Sequence, residues 1–292
     1  MAESNREWRA ESLGPAREVE LAQGRLRYHS VGSGPVLVFT HGVLVNANLW
    51  RKVVARLSAD FRCVSLDLPF GSHLVPMPPD ADLAPPAVAD LIADAIAALE
   101  LDDVTLVGND TGGGICQLVV TRRPERIGAL VLTSCDAFDN FPPKVMRPVM
   151  PLLSNPALLR ATLAPARARM IQRAVFGTLA KRPVEPEVLV SYALPAVVDP
   201  RVRRDTARFF AGLDKRHTLE AAERLPAFDR PALIAWSRED RFFPRSHAER
   251  LAELLPQGRL EWIEDARTFS PEDQPGRVAE LVASLSAVGA AR

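Results

Sequence analysis

The order of apolar and polar positions predicts alternating strands and helices over the first half of the chain. Continuous apolar runs are typical of strands buried on both faces, and they alternate here with segments that have the 3.6-residue period of a helix. Two strands turning at Gln23-Gly24 come first. The buried strands that follow are predicted at 36–40, 62–66, 104–107 and 129–133, and the helices at 48–58, 87–99 and 114–122. This pattern predicts a mostly parallel sheet with helices on both faces.

The strand pattern stops at about Cys135 and returns near residue 231. The intervening residues read as helical pieces punctuated by proline, at 156–176, 187–194 and 199–212, and the last elements are strands at 231–236 and 259–263 with helices at 245–255 and 276–285. We therefore predict an eight-stranded sheet formed by residues 1–135 and 226–292, with residues 136–225 inserted after the sixth strand as a helical cap. Such a cap would cover the carboxyl ends of the strands, where open α/β sheets bind their ligands.

One turn in this pattern carries candidate chemistry. The sequence Gly108-Asn-Asp-Thr-Gly-Gly113 joins an apolar strand directly to a helix, as a nucleophile elbow does. Its apex is Asp110, and the small residues around it would let strand and helix pass close together. A glycine-rich turn in which Asp110 only caps the helix is the alternative interpretation.

Composition and charge exclude several classes of partner. The 292 residues are 47% hydrophobic and 25% charged, and Lys+Arg and Asp+Glu are both 36, so no electrostatic case exists for nucleic acid or a membrane surface. No apolar stretch has membrane-spanning length and the polar N-terminus does not resemble a signal peptide, which predicts a soluble cytoplasmic protein. The three cysteines lie in apolar segments, which predicts buried free thiols without a disulfide or a metal site. No cofactor is indicated.

These segments together resemble the α/β-hydrolase superfamily over nearly the whole chain. The elbow Asp makes the chain most similar to the branch of haloalkane dehalogenases and epoxide hydrolases. His41-Gly42 matches the oxyanion turn of the family, Asn48-Leu-Trp-Arg51 continues the likeness, and residues 264–275 match the loop after the eighth strand. The resemblance implies an α/β-hydrolase fold, and it implies that His41, Trp50 and Tyr192 lie at the pocket.

The resemblance also implies roles for individual residues. Asp110 would attack an electrophilic carbon and form an ester with the enzyme. The backbone N–H groups of Thr111 and Val43 would form the oxyanion hole. Asp240, which follows the seventh strand, matches the acid of the catalytic triad.

The catalytic base of the family is missing from its usual position. Thr268 stands where the triad His is expected, and a threonine hydroxyl does not accept a proton near neutral pH. His73 is the candidate replacement, because the loop after the fourth strand opens onto the same edge of the sheet as Asp110.

The positions at which the sequence differs from the family narrow the range of substrates but leave three functions open. Haloalkane dehalogenases hold the leaving halide with an indole N–H after the nucleophile and often an Asn in the oxyanion turn, where this chain has Thr111 and Val43. Tyr192 is the single tyrosine of the cap, where epoxide hydrolases use two. The apolar cap suggests a small, uncharged organic substrate. The chain is then a hydrolase with an atypical triad, a lyase, isomerase or cyclase that uses Asp110 as a general base, or a catalytically silent binding protein. The sequence does not indicate an oligomeric state.

Overall fold

The computed structural model describes residues 7–289, with side chains up to residue 285. Its eight strands form one sheet in the order β1-β2-β4-β3-β5-β6-β7-β8. The β1–β2 and β2–β4 pairs are antiparallel and the others are parallel, as predicted. The strands are β1 Ala16–Leu21, β2 Gly24–Val31, β3 Val36–Thr40, β4 Arg62–Asp67, β5 Val104–Asp110, β6 Ile127–Cys135, β7 Ala232–Ser237 and β8 Gly258–Ile263.

Successive side chains of the central strands pack on opposite faces of the sheet. Val38 belongs to the apolar cluster on one face, whereas its neighbours Leu37 and Phe39 belong to the cluster on the other. Both faces are therefore covered. The helices are α1 Arg51–Leu57, α2 Pro85–Ala98, α3 Thr111–Arg122, α4 Met150–Leu153, α5 Pro156–Leu163, α6 Arg169–Leu179, α7 Pro186–Ala193, α8 Pro195–Val198, α9 Pro200–Gly212, α10 Lys215–Arg224, α11 Arg245–Leu254, α12 Ser270–Asp273 and α13 Pro275–Gly289.

The chain between β6 and β7 is helical and contains no strand. The helix expected over residues 156–176 is in fact two helices, α5 and α6, separated by a 3-10 turn at Ala164–Arg167. Pro165 explains this correction, because it removes a backbone N–H and interrupts the ladder of helical hydrogen bonds. The last helix of the insertion, α10, packs on α3 beside the sheet, so the limits of a separate cap at residues 136 and 225 stay a prediction.

Two further expectations concern cysteines and membranes. All three cysteines are buried free thiols, as predicted. Over the described part of the chain, no helix combines the length and the apolarity needed to cross a bilayer.

Candidate active site

Asp110 lies at the sharp turn between β5 and α3. Its backbone angles, φ 55° and ψ −132°, fall in a sparsely populated region that is strained for a residue with a side chain. The turn closes because its neighbours have no Cβ. A Cβ on Gly113 would lie 2.4 Å from the Cβ of Cys135, and a Cβ on Gly112 would lie 2.6 Å from the carbonyl oxygen of His41.

The turn after β3 packs directly against the Asp110 carboxylate. A Cβ on Gly42 would lie 1.9 Å from Asp110 Oδ2, so only glycine leaves room for the carboxylate there. The backbone N–H of Thr111 also interacts with this carboxylate and lowers its pKa. Val43 and Thr111, the two residues expected to supply the oxyanion hole, both line the same cavity as Asp110.

That cavity measures about 230 Å³ and has mainly apolar walls. Its floor contains Asp110, which is 9% exposed, and Asp136, which is 0% exposed. The helical segment between β6 and β7 supplies most of the remaining wall. These wall residues are Pro142, Pro143, Met146, Met150, Val175, Phe176, Thr178, Leu179, Phe210 and Leu213.

Asp136 is a site residue that the sequence reading missed. Its carboxylate accepts a hydrogen bond from Thr111 Oγ1 (3.1 Å to Oδ2), while Oδ1 has no hydrogen-bond partner in the described structure. The sequence did contain a signal. Asp136 directly follows the sixth buried strand, and parallel strands that lie side by side end at the same edge of a sheet. The sequence pattern alone places Asp136 only as the first residue of the predicted cap.

Two carboxylates without a counterion, Asp110 and Asp136, line the cavity, and a third, Asp240, lies close enough for its charge to act on both. Burial raises the pKa of Asp110 to about 7, and the negative charge of Asp240 adds to the rise. Burial, and then the charge of Asp110, raises the pKa of Asp136 well above its ordinary value. None of the three forms an ion pair within residues 7–285. Like charges in an apolar site disfavour joint ionisation, so these groups titrate together.

Asp240 is held by the loop that follows β7. Its Oδ1 accepts hydrogen bonds from the backbone N–H groups of Phe242 (2.7 Å) and Phe243 (2.8 Å). Burial raises its pKa, and these two N–H groups oppose the rise.

Thr268 is fully buried and lies near Asp240, and its hydroxyl lowers the pKa of Asp240. Even so, neither Thr268 Oγ1 nor Asp240 Oδ2 has a partner at hydrogen-bonding geometry in the part of the chain that the structure describes. The backbone oxygen of Thr268 accepts a hydrogen bond from Asn109 Nδ2 (2.8 Å), which fixes this loop to the elbow. The position next to Asp240 is therefore occupied by a hydroxyl with unused bonding capacity.

His73, the candidate replacement base, makes its side-chain contacts outside the cavity. The N–H of Gly71 donates to His73 Nδ1 (3.3 Å), so the ring proton is on Nε2, which contacts Asp205 Oδ2 (3.3 Å). Both ring nitrogens are thus engaged away from the cavity, and His73 is absent from its lining. The fourth-strand loop does open towards the carboxyl edge, but this side chain turns towards α9.

The three expected pocket residues also lie outside the cavity wall. His41 donates from Nδ1 to the Gly42 oxygen (2.8 Å) and accepts from the Leu68 N–H (3.0 Å), and burial lowers its pKa to about 4. Trp50 donates to the Thr40 oxygen (3.1 Å). Tyr192 packs on Phe176, with 5.4 Å between ring centroids. All three side chains are buried in the structure, and their place in the pocket stays a prediction.

A mostly parallel eight-stranded sheet with a strained strand-to-helix turn at its carboxyl edge is characteristic of the α/β-hydrolase fold. The chain belongs to the alpha/beta hydrolase fold family, whose sequence model matches residues 35–275.

The sequence relatives of the chain include a haloalkane dehalogenase and a hydrolase. It is 28% identical to haloalkane dehalogenase 2 of Mycobacterium bovis over 274 residues, covering 91% of this chain and 93% of that protein. It is 26% identical to the 2-hydroxymuconate semialdehyde hydrolase of Pseudomonas sp. strain CF600 over 280 residues, covering 93% of each chain.

Solved structures show the same fold. The haloalkane dehalogenase DbeA from Bradyrhizobium elkani superposes with a TM-score of 0.78 at 18% identity, over 95% of this chain and 99% of that one.

Proposed function

We propose that the protein is a hydrolase that acts through Asp110 as a nucleophile on a small, largely apolar and uncharged organic substrate. The observation that carries this proposal is the position of the carboxylate at the strained elbow, packed against Gly42 and facing the cavity. The apolar walls and the volume of about 230 Å³ suit a compact uncharged molecule. In this proposal, the helical segment 136–225 is the cap that shapes the pocket.

The chemistry would proceed in two steps. The ionised Asp110 carboxylate attacks an electrophilic carbon, the leaving group departs with its bonding electron pair, and an ester joins substrate and enzyme. Water then adds to the ester carbonyl, with the oxyanion near the N–H groups of Thr111 and Val43. The tetrahedral intermediate collapses by breaking its bond to the substrate oxygen, which takes up a proton and leaves as the alcohol, and the Asp110 carboxylate is restored. The proton of that water needs an acceptor. Because Thr268 cannot take it, Asp136 or Asp240 must, and the raised pKa of both carboxyl groups leaves less of the ionised form to act as a base. The second step is therefore expected to be slow.

Intact-protein mass spectrometry tests this proposal. The protein is incubated in turn with an alkyl halide, an epoxide and an activated ester, and the mass is followed with time beside the Asp110→Asn variant. An adduct that accumulates on the wild type and is absent from the variant supports the proposal. Adduct formation that persists in Asp110→Asn contradicts it.

A non-hydrolytic function is the second candidate, and the pKa of about 7 at Asp110 favours it. A carboxyl group that titrates near neutrality can both accept and return a proton, as elimination, isomerisation or ring closure requires. No water-activating imidazole is then needed. If the protein turns over a substrate without forming a covalent adduct, and Asp110→Asn abolishes this turnover, the non-hydrolytic function is favoured over the hydrolase with an Asp110 nucleophile. A protein that gives neither adduct nor turnover across all three reagents would instead be the silent binding member.

A further inference from the structure

The segment between residues 140 and 184 has an extreme charge composition. It contains eight Lys or Arg residues and no Asp or Glu. Because the whole chain has equal numbers of acidic and basic residues, the remainder carries eight more acidic than basic ones. The neutral total therefore hides a strong asymmetry. We call residues 140–184 the basic cap segment.

Much of this positive charge is exposed and unneutralised. Four arginines of the basic cap segment are exposed and form no ion pair with any described residue: Arg160, Arg167, Arg169 and Arg173. Arg160 and Arg167 lie near a further arginine, Arg203. Burial, and then the positive charge of Arg160, lowers the pKa of Arg203, and Arg167 adds to this effect. Such clustering of like charge produces a positive field with a range of about 10 Å in ordinary salt.

The same segment carries the exposed large apolar side chains of the molecule. All five that the described residues contain lie within it: Val145, Leu152, Leu158, Met170 and Val175. Met170 is 76% exposed and shares the outer face of α6 with Arg173, one turn further on. α4 contacts α5, and α5 and α6 each contact the 3-10 turn that lies between them. The exposed apolar and basic side chains therefore lie on adjoining elements.

The surface borders the active-site cavity. Val175 is 52% exposed and also lines the cavity, as do Met146 and Met150 of the same segment. A molecule that entered beside Val175 would pass from the outer face of α6 to the carboxylate of Asp110.

We propose that the basic cap segment docks on an anionic lipid surface, with the mouth of the cavity facing the membrane. Arginines pair with lipid phosphates, and the aliphatic side chains between them enter the boundary between headgroups and acyl chains. This proposal goes beyond the reaction at Asp110 and does not depend on it. It revises the expectation of no membrane partner, which rested on the charge of the whole chain.

The charge and the apolar side chains of the basic cap segment favour a lipid surface over a second copy of the chain or a nucleic acid. A second copy of the chain would bring two basic surfaces together in a two-fold interface, where like charges repel. Nucleic acid would neutralise the arginines but would leave Leu158 and Met170 in water, since its phosphate backbone offers them no apolar contact. A lipid surface satisfies both kinds of side chain.

Vesicle flotation tests the proposal. Wild-type protein is mixed with vesicles of phosphatidylcholine and phosphatidylglycerol, and separately with vesicles of phosphatidylcholine alone. Three variants are compared: Arg169→Glu with Arg173→Glu, Leu158→Ser with Met170→Ser, and a charge-matched control, Arg17→Glu with Arg224→Glu, at exposed positions outside the segment. Each arginine removed should weaken binding about fivefold. Circular dichroism and sedimentation velocity verify the fold and the size of every variant.

The proposal is supported if the wild type binds vesicles that contain phosphatidylglycerol and does not bind those of phosphatidylcholine alone. Both variants in the basic cap segment should weaken this binding, and the charge-matched control should leave it unchanged. Absence of binding to anionic vesicles overturns it. The proposal is also overturned if Arg169→Glu with Arg173→Glu abolishes vesicle binding while Leu158→Ser with Met170→Ser binds fully. The surface would then attract any polyanion. A dimer that the same apolar variant dissociates would assign the surface to a second copy of the chain.

Discussion

At the residue scale, the ionisation of Asp110 makes a contribution to the free energy of unfolding that can be measured directly. Its carboxyl group is buried, and its pKa is about 7 in the folded protein against about 3.9 in an unfolded chain. The folded state therefore binds the proton more tightly than the unfolded state does. Its contribution to stability is complete below about pH 4 and is lost as the pH rises through 7.

We predict that Asp110→Asn stabilises the protein at neutral and alkaline pH. The gain in the free energy of unfolding should reach up to about 4 kcal/mol above pH 7 and vanish near pH 4, since three pKa units correspond to that energy. Urea unfolding at several pH values measures it. A gain that is independent of pH would show that the neutral amide only packs better, and that the pKa is not raised.

The same titration governs reactivity. Only the ionised carboxylate attacks carbon, so the rate of adduct formation on Asp110 should rise about tenfold per pH unit below 7 and level off above it. This rate is measured by quenching the reaction at intervals between about pH 5 and 9 and following the adduct by intact-protein mass spectrometry. A rate that is flat across the range would place the pKa near its ordinary value.

Thr268 gives a second residue-scale prediction. Thr268→His places an imidazole beside Asp240, whose Oδ2 has no hydrogen-bond partner among the described residues. A base oriented by Asp240 should accelerate breakdown of the ester on Asp110 by about 10²–10⁴-fold. Single-turnover kinetics with one alkylating substrate measure the step. His73→Ala is the matched control, and it should leave the rate unchanged because His73 contacts Asp205.

Local motifs place some site residues from sequence and leave others hidden. Asp110 and Thr111 belong to one short turn and Val43 to the turn after β3, so local motifs are enough to propose all three. The sequence does not identify Asp136, because the direction of a side chain depends on the elements that pack against it. A pattern along one strand does not contain that information.

At the scale of elements, the elbow depends on the close approach of β5, α3 and β6. Gly113→Ala puts a methyl group 2.4 Å from Cys135 Cβ, so a strand or a helix must shift. We predict a loss of about 1–3 kcal/mol in the free energy of unfolding. Thermal and urea unfolding measure it.

Gly177→Ala is the matched control for that substitution. Gly177 lies in α6, and an added Cβ there meets nothing within 4 Å. Alanine should therefore stabilise the helix by up to about 1 kcal/mol. Equal losses for the two variants would mean that close packing at the elbow is not the cause.

Element positions were well predicted because periodicity is a local property. The buried strands and the helices on either side of them were found within a few residues. The break between α5 and α6 was missed because the apolar spacing continues across Pro165, although its backbone cannot continue the hydrogen bonding.

At the scale of the whole molecule, one ion cluster joins distant parts of the chain. Arg51 in α1 contacts Glu272 in α12, with 2.9 Å between Nη2 and Oε2, and it also contacts Glu185 before α7. Arg51→Ala would leave Glu272, which is 1% exposed, with Lys52 as its one ion-pair partner among the described residues. We predict a loss of about 3 kcal/mol, measured by urea unfolding.

The control for Arg51 is an exposed pair of similar geometry. Arg122 and Asp90 lie 2.7 Å apart at the surface, and Arg122→Ala should cost less than about 1 kcal/mol. Comparable losses in both variants would show that burial does not strengthen the Arg51 cluster.

The strand order has a consequence for the growing polypeptide. The edge of β6 pairs with β7, yet β7 begins at Ala232, almost a hundred residues after β6 ends at Cys135. At about 5–20 residues per second, a ribosome needs roughly 5–20 s to make the intervening helices. For that interval the nascent sheet presents an unpaired apolar strand, which is a template for association between chains. Synthesis that pauses within the helical insertion should therefore increase aggregation of the newly made protein.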